Sequence, residues 1–579
     1  MTAERNPFEY AGANDLPPEM VLDYYIEDFN YSRFVQSKRN LLLVGERGCG
    51  KSMTLRYNSW PLQQMKAERD GIDLPLAHIG VYVPCKTPLM LKGEYQLLDD
   101  LRAALLSEHT LVLSLLFAVA ETLAAIPGVM EGADEHALRS RLEFVLESDL
   151  PSGGCFFEAV KDFTQRANLK TQQAVTDSTG SSVVLESTYS FPSLIVPVLG
   201  LTRAIPKLKH SHFMFLIDDA HDLNERQLES LSSWIAYRDH SLFSFKIAIA
   251  NFARRKIRTA SGGAILEGHD YIRLDMAQPY QNEASDFGKL AEGLVRKRLA
   301  RFGIDSSPEE FFPVSRQLEK DLEQAEAVVR AEGKSKYGDD SRRIADYVYK
   351  YKRAHYFRAR SPRANLPEYS GFTTLVFLST GVIRNLLIPC YAMYDKVISL
   401  QSAKGEADAP VDSIPPEVQS EVIIDESRKR WDWLRNGIDQ NIVGCSNVDA
   451  RRCFRLLDQL AILFRERLLH HKSEPRANSF TVSSPTDEVM HELNRLFDIL
   501  REAQLLYVRS GSAKESGKRE WYYVPNRLLW PERGLDPHGQ HARVSLRATD
   551  LWAAADINRP LPDARKKGER NLELFDEPE

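Results

Sequence analysis

The chain has 579 residues, 43% of them apolar and 27% charged. That is enough for about four domains at roughly 150 residues each, and the composition excludes wholesale disorder, a collagen and a coiled coil. Lys plus Arg total 75 against 81 Asp plus Glu, a formal net charge of −6, so any nucleic-acid contact must be local and not a coat over the whole surface.

In chain order, residues 1–8 lack the basic start and apolar run of a signal peptide, and residues 1–38 form an N-terminal segment. The run Asn40-Leu41-Leu42-Leu43-Val44 then predicts a parallel strand buried on both faces. Gly45-Glu46-Arg47-Gly48-Cys49-Gly50-Lys51-Ser52 satisfies G-x-x-x-x-G-K-[ST], and Met53 continues into the helix that this motif requires. Its glycines let backbone N–H groups turn inward on a phosphate chain, with the helix N-terminus adding positive potential. Lys51 reaches the outer phosphates in this scheme and Ser52 offers a hydroxyl to Mg²⁺.

A short strand over 79–83 follows, and then a long gap with helical patterns near 97–126, 136–146 and 156–167. The gap reads as a helical insertion spanning about 86–210. Its most apolar stretch, 111–126, is shorter than a bilayer span and contains Glu121, which predicts a buried helix and no membrane segment. The second motif strand, 213–217, ends in Asp218-Asp219, a Walker B pattern. Asp218 is placed for the Mg²⁺ shell and Asp219 for polarising the attacking water, where Glu is more usual. A third strand, 245–250, ends in Asn251, a polar side chain placed to orient water near the γ-phosphate. A fourth covers 271–274. Arg254, Arg255 and Arg258 lie between them, either reaching a neighbouring subunit's phosphate or forming a solvated turn. Residues 39–276 are therefore an α/β P-loop core with a parallel sheet.

After residue 276 the periodicity becomes helical, and 277–400 reads as a helical lid. Residues 342–363 carry eight basic side chains and one acid, Asp346, interleaved with Tyr347, Tyr349, Tyr351, Tyr356 and Phe357. Either the bases and rings grip DNA, or this is an amphipathic helix with packed tyrosines and solvated arginines. Residues 401–416, rich in Ala, Asp, Ser and Pro, read as a linker. Beyond it, a helix over 450–470, a second from Ser484-Pro485 to about 503, and two strands, 504–508 and 520–524, suggest a winged-helix-like domain over 417–579 with a charged tail. Its basic loop, with Arg509, Lys514, Lys518 and Arg519, suits either a DNA backbone or a protein. Asp536, His538 and His541 offer either a metal site or a packed loop.

The six cysteines, Cys49, Cys85, Cys155, Cys390, Cys445 and Cys453, show no C-x-x-C or zinc-finger spacing, which fits a reducing cytoplasm. No Ser-His-Asp set, nuclease-type carboxylate cluster or NAD fingerprint is present.

The order of the glycine motif, Asp218-Asp219-Ala220-His221, Asn251 and Ser379-Thr380-Gly381-Val382-Ile383-Arg384 resembles AAA+ ATPases of the origin-recognition and initiator branch. The resemblance implies a sensor 1 role for Asn251 and a sensor 2 role for Arg384, contacting bound phosphates. It also implies a winged helix at the carboxyl end, ATP and Mg²⁺ as cofactors, and self-association or an effector partner. Residues 45–53 would then cradle ATP, with Asp219, Lys51, Asn251 and Arg384 acting on the γ-phosphate. The departures are Asp-Asp in place of Asp-Glu, which favours slow or partner-dependent hydrolysis, and the insertion, which favours a role in anti-phage defence or a mobile element over chromosomal replication. An ATP-driven switch for DNA or partner engagement is the expectation; the alternative is a slowly hydrolysing, nucleotide-bound adaptor.

Overall fold

The computed structural model describes residues 6–27, 31–85, 98–152, 154–177, 187–236, 241–250, 258–276, 286–360, 367–406, 409–469, 477–483, 487–512, 519–539 and 542–562. Its contacts divide into a P-loop unit, Gly12–Ala277, and a C-terminal unit made of Met1–Ala11 and Gln278–Glu579.

In the P-loop unit, β1 (Leu41–Gly45), β2 (His78–Pro84), β3 (His212–Asp218), β4 (Phe243–Ala250) and β5 (Ile272–Asp275) form one sheet in the order β2-β3-β4-β1-β5. Every pairing is parallel. All residues of β1, β3 and β4 are buried, which is why β1 and most of β3 run apolar without alternation: a strand covered on both faces has no solvent side; β4 also buries Ser244 and Lys246. The two-residue period still sorts the side chains. Leu42 and Val44 join Ile79, Val81, Phe215 and Ile217 on one face. Leu41 and Leu43 pack on the other with Met214, Leu216 and Leu55, the last from helix α1 (Lys51–Tyr57). Each such aliphatic side chain contributes about 2 kcal/mol by leaving water. Because the strands run parallel, their carboxyl ends share one edge, and this brings the chain after β1 beside the chain after β3.

The first face is covered by the insertion, with α2 (Asp100–Ala124), α3 (Glu135–Leu146) and α4 (Phe156–Asp177). The Asp99 carboxylate caps α2 by accepting from the Arg102 N–H at 3.1 Å. The apolar stretch 111–126 proves to be part of a longer element. Because α2 starts at Asp100 it reaches 25 residues, so the expectation that it is too short for a bilayer fails on length, and it is the one such helix among the described residues. Its most apolar window is nonetheless 72% buried inside the protein, against β2, α4 and α5 (Glu225–Ile235). Phe191 seals the same face, its ring stacked on Trp234 at 4.8 Å and edge-on to Phe243 at 5.2 Å.

After the helices Asp286–Arg301 and Pro308–Phe311, the C-terminal unit has a helical hairpin, α6 (Arg316–Tyr337) and α7 (Ser341–Ala359), closed over Val329, Ile344, Val348 and Tyr351. Then come α8 (Phe372–Leu378), α9 (Ile383–Ala403) and α10 (Pro416–Asn436). The stretch 401–416, expected as a linker, is anchored: Val411 and Ile414 are buried, and the Ile414 N–H donates to the Phe311 carbonyl at 2.8 Å. Two apolar side chains in an otherwise polar run suffice to dock it.

The remaining elements are α11 (Asn447–Leu469), β6 (Ala477–Ser483), α12 (Asp487–Glu502), β7 (Leu506–Ser512), β8 (Arg519–Pro525), β9 (Ala542–Arg547) and α13 (Ala548–Ile557). The sheet order is β7-β8-β6-β9. The β7–β8 hairpin pairs Leu506 with Pro525 and Ser512 with Arg519. It starts two residues later than the pattern implies because Gln504, at φ +57°, is still closing α12, with the Leu505 N–H on the Leu500 carbonyl at 2.8 Å. Strand β6 escapes the alternation rule because it buries Asn478, Ser479 and Thr481 beside Phe480.

Candidate functional site

The glycine loop leaves β1 at Gly45 and enters α1 at Lys51. Gly48 and Gly50 have φ of +82° and +102°, the left-handed region that an L side chain resists, so these two positions need glycine. The helix N-cap is Gly50 itself, and no side chain caps it. Lys51 is buried. Its ammonium donates to the loop's own Gly45 and Glu46 carbonyls at 3.0 and 2.8 Å. Cys49 is buried beneath the loop, and burial pushes its thiol pKa up.

Across the strand ends, Asp218 is 1% exposed. Its Oδ1 accepts from Ser52 Oγ at 3.1 Å and from the Asp219 N–H at 3.0 Å, while its Oδ2 accepts from the Tyr82 hydroxyl at 2.8 Å. Burial, then the neighbouring Asp219 charge, raises the Asp218 pKa to about 6, against the downward pull of Tyr82 and Ser52. A divalent cation beside it would reverse that balance by favouring the carboxylate. A serine hydroxyl and a carboxylate are the hard oxygen donors that Mg²⁺ prefers, so the residues present fit that ion. Asp219 has φ +53°, a conformation that costs a non-glycine residue about 1–3 kcal/mol and concentrates at functional sites. It begins the turn Ala220–Asp222. From the loop, Arg47 Nε donates to His221 Nε2 at 3.4 Å and its guanidinium lies 3.6 Å from Asp222, linking the chain after β1 to the chain after β3.

The structure thus brings together Gly45, Glu46, Arg47, Gly48, Cys49, Gly50, Lys51, Ser52 and Met53 with Asp218 and Asp219. Asn251, Arg254 and Arg255 lie outside the described residues. Arg258 bridges to Ala264 in an exposed turn. Motif reading missed Tyr82; its signal in the sequence is a hydroxyl-bearing residue near the carboxyl end of β2, the edge strand beside β3.

Arg384 belongs to the C-terminal unit, as the second residue of α9. The turn before it is tightly specified. Thr380 and Gly381 have φ of +57° and +78°, and Asn385 donates to the Ser379 carbonyl at 3.1 Å and to the Tyr507 hydroxyl at 2.9 Å. Thr380 Oγ1 accepts from the Arg527 N–H at 2.9 Å. Val382 packs with Tyr507 and Val524 of the hairpin.

In the basic segment 342–363, of which 361–363 lie outside the described residues, several of the cations have carboxylate partners. Lys350 pairs with Asp346 at 2.6 Å, Lys352 with Glu326 at 2.8 Å, Arg353 with Asp536 at 3.0 Å and Arg360 with Asp321 at 3.0 Å. Tyr351, Tyr356 and Phe357 are buried, leaving Tyr349 as the exposed ring. Lys352, Arg353 and Arg360 thus join α7 to Glu326, Asp536 and Asp321 of its own unit, while Lys350 pairs within α7. Asp536 and His538 likewise build a loop: His538 Nδ1 lies 3.0 Å from Asp536 Oδ1, and Asn478 donates to both backbone carbonyls at 3.2 Å. No group of three metal-ligating side chains occurs among the described residues, and His541 lies outside them.

A family model described as ORC-CDC6-like matches residues 6–332 and 318–546. Among solved structures, Orc1 of Aeropyrum pernix in complex with DNA is 11% identical, covering 92% of this chain and 96% of that one, with a TM-score of 0.28. Cdc6p of Pyrobaculum aerophilum is 12% identical over 95% of this chain and 96% of that one, with a TM-score of 0.25. Scores this low carry no argument about the site. No curated protein matches the chain. The family model spans nearly the whole sequence, over a parallel sheet whose glycine loop and acidic strand end meet at one edge, and the chain therefore belongs to the ORC-CDC6-like family, in the origin-recognition and initiator branch of the AAA+ proteins.

Proposed function

We propose that the chain is an ATP-dependent switch that binds ATP·Mg²⁺, hydrolyses it to ADP and phosphate, and couples nucleotide state to engagement of DNA or a partner protein. The observation that carries this reading is the 3.1 Å bond between Ser52 and Asp218 beneath a loop of two positive-φ glycines. Bound Mg²⁺ would supply charge neutralisation on the phosphates. Lys51 would exchange its two carbonyl partners for phosphate oxygens, and the backbone N–H groups of residues 47–53 would line the phosphate chain. Asp219 would accept the proton of the attacking water. Asn251 and Arg384 are assigned the γ-phosphate-sensing roles of the family, and the protein is assigned self-association or an effector.

The hairpin with its flanking helices is read as a winged helix. Between β6 and β7, α12 carries Glu488, Glu492, Asp498 and Glu502, while Arg495 is paired with Asp449 and Arg501 with Asp498. An acidic helix repels phosphate, so DNA contact is assigned to the basic residues Lys514 and Lys518, which lie outside the described residues, and not to α12.

The test is ATP binding and hydrolysis by the full chain, with and without double-stranded DNA, beside Lys51→Ala and Asp219→Asn. The switch reading expects turnover that DNA raises and both variants abolish. The short Asp219 side chain favours a second reading, a nucleotide-retaining adaptor, which expects tight ATP binding with no turnover under either condition.

A further inference from the structure

Tyr82 stands on β2 opposite Leu216 of β3, two positions before Asp218. The parallel register that buries Val81 and Val83 on the insertion side turns Tyr82 to the other face, the face of α1. Its hydroxyl meets Asp218 Oδ2 at 2.8 Å; a second acceptor, Asn14 Oδ1, lies farther off at 3.4 Å. A phenol has one proton to give, and the closer, ionisable acceptor makes the stronger bond.

The consequence concerns orientation. A carboxylate rotates over a broad, roughly two-fold torsion. Here one oxygen is tied to Ser52 and the Asp219 backbone, and the other to Tyr82. Without the phenol, Oδ2 would sit in a buried place without that donor, and Oδ1 would be less firmly turned toward Ser52.

We propose that Tyr82 is a positioning residue for the nucleotide-associated metal: by holding Asp218 Oδ2 it keeps Oδ1 beside Ser52 Oγ, so that two hard oxygens stand together before Mg²⁺ arrives. This rests on the nucleotide-binding reading above. Partners that orient a metal ligand from behind are worth about 10–100-fold in metal affinity.

The experiment is a Mg²⁺ titration of fluorescent ATP-analogue binding by the full-length protein, with an EDTA baseline and a thermal melt for each variant. Tyr82→Phe is expected to need about 10-fold more Mg²⁺ for half-maximal binding, with the EDTA baseline unchanged and Asn14→Ala matching wild type. Tyr82→Leu separates the donor from ring packing: the same Mg²⁺ shift from Phe and Leu, with a lower melting temperature from Leu, supports the assignment. A Mg²⁺ shift from Leu alone, or from Asn14→Ala, overturns it. A wild-type curve that depends on Mg²⁺ and that Tyr82→Phe leaves in place sinks the Tyr82 role alone, whereas a wild-type protein that binds no nucleotide at any Mg²⁺ concentration sinks both readings.

Discussion

The glycine loop of the P-loop unit and helix α7 of the C-terminal unit both carry cations that a motif reading offers to phosphate, and they differ in what those cations touch. Lys51 is buried, yet it rests on two neutral carbonyls of its own loop. Arg353 holds a carboxylate whose side chain is 1% exposed. A phosphate oxygen outcompetes a neutral carbonyl for an ammonium, because charge-assisted hydrogen bonds are about twice as strong. It cannot draw Arg353 away without taking from the buried Asp536 carboxylate the guanidinium that faces it. A basic residue therefore counts toward a phosphate site only when its present partners are exchangeable, and nothing in its local sequence says so.

Four measurements would break or sharpen this contrast. The largest expected effect is from Lys51→Ala, which should weaken nucleotide retention at least 100-fold in equilibrium binding and leave the melting temperature within about 2 °C, since its lost partners are two carbonyls that solvent or loop relaxation can serve. An equal loss of stability would mean that Lys51 is structural, as Arg353 is.

Arg353→Ala should do the reverse. Breaking a buried pair from one side costs about 3 kcal/mol, readable as a lower midpoint in chemical denaturation of the C-terminal unit, with nucleotide affinity unchanged. Loss of affinity with intact stability would return α7 to the list of phosphate sites.

A pH series comes next. His109 accepts the Tyr189 N–H on Nδ1 at 3.1 Å and meets Thr171 Oγ1 through Nε2 at 3.0 Å; since that hydroxyl already donates to the Ala167 carbonyl, the geometry assigns a neutral ring with its proton on Nε2. Burial lowers its pKa to about 4, and burial does the same to His212. An unfolded imidazole titrates near ~6.5, so between ~6.5 and ~4 the unfolded chain binds more protons and the P-loop unit loses stability as pH falls, by up to about 3 kcal/mol per histidine. Asp218, raised to about 6, works in the opposite direction over ~6 to ~4, because there the folded state takes up the proton first. His109→Gln should flatten the acid decline; an unchanged slope would remove His109 from the account.

The smallest effect is expected from Lys350→Glu with Lys352→Glu, whose partners are the carboxylates of Asp346 and Glu326. DNA affinity and its salt slope should stay within about two-fold of wild type. A drop in slope of about one per lysine would restore the DNA reading of 342–363.

What the amino-acid sequence determined by itself is the set of features whose physics is local. Eight consecutive residues, Gly45 to Ser52, contain the torsional freedom, the ammonium and the hydroxyl of a phosphate loop, and the apolar runs Leu41–Val44 of β1 and Phe213–Ile217 of β3 announce strands covered on both faces. The Asp218-Asp219 pair was legible as a strand end for the same reason. Tertiary structure alone decided the rest, because each remaining feature joins residues far apart in the chain: Tyr82 with Asp218, Arg353 with Asp536, Asn385 with Tyr507. It also decided that polar residues of β6 lie in a core and that the apolar stretch 111–126 belongs to a helix of 25 residues. A side chain's charge is written in the sequence, but its partner, and hence whether that charge is available, is set by packing.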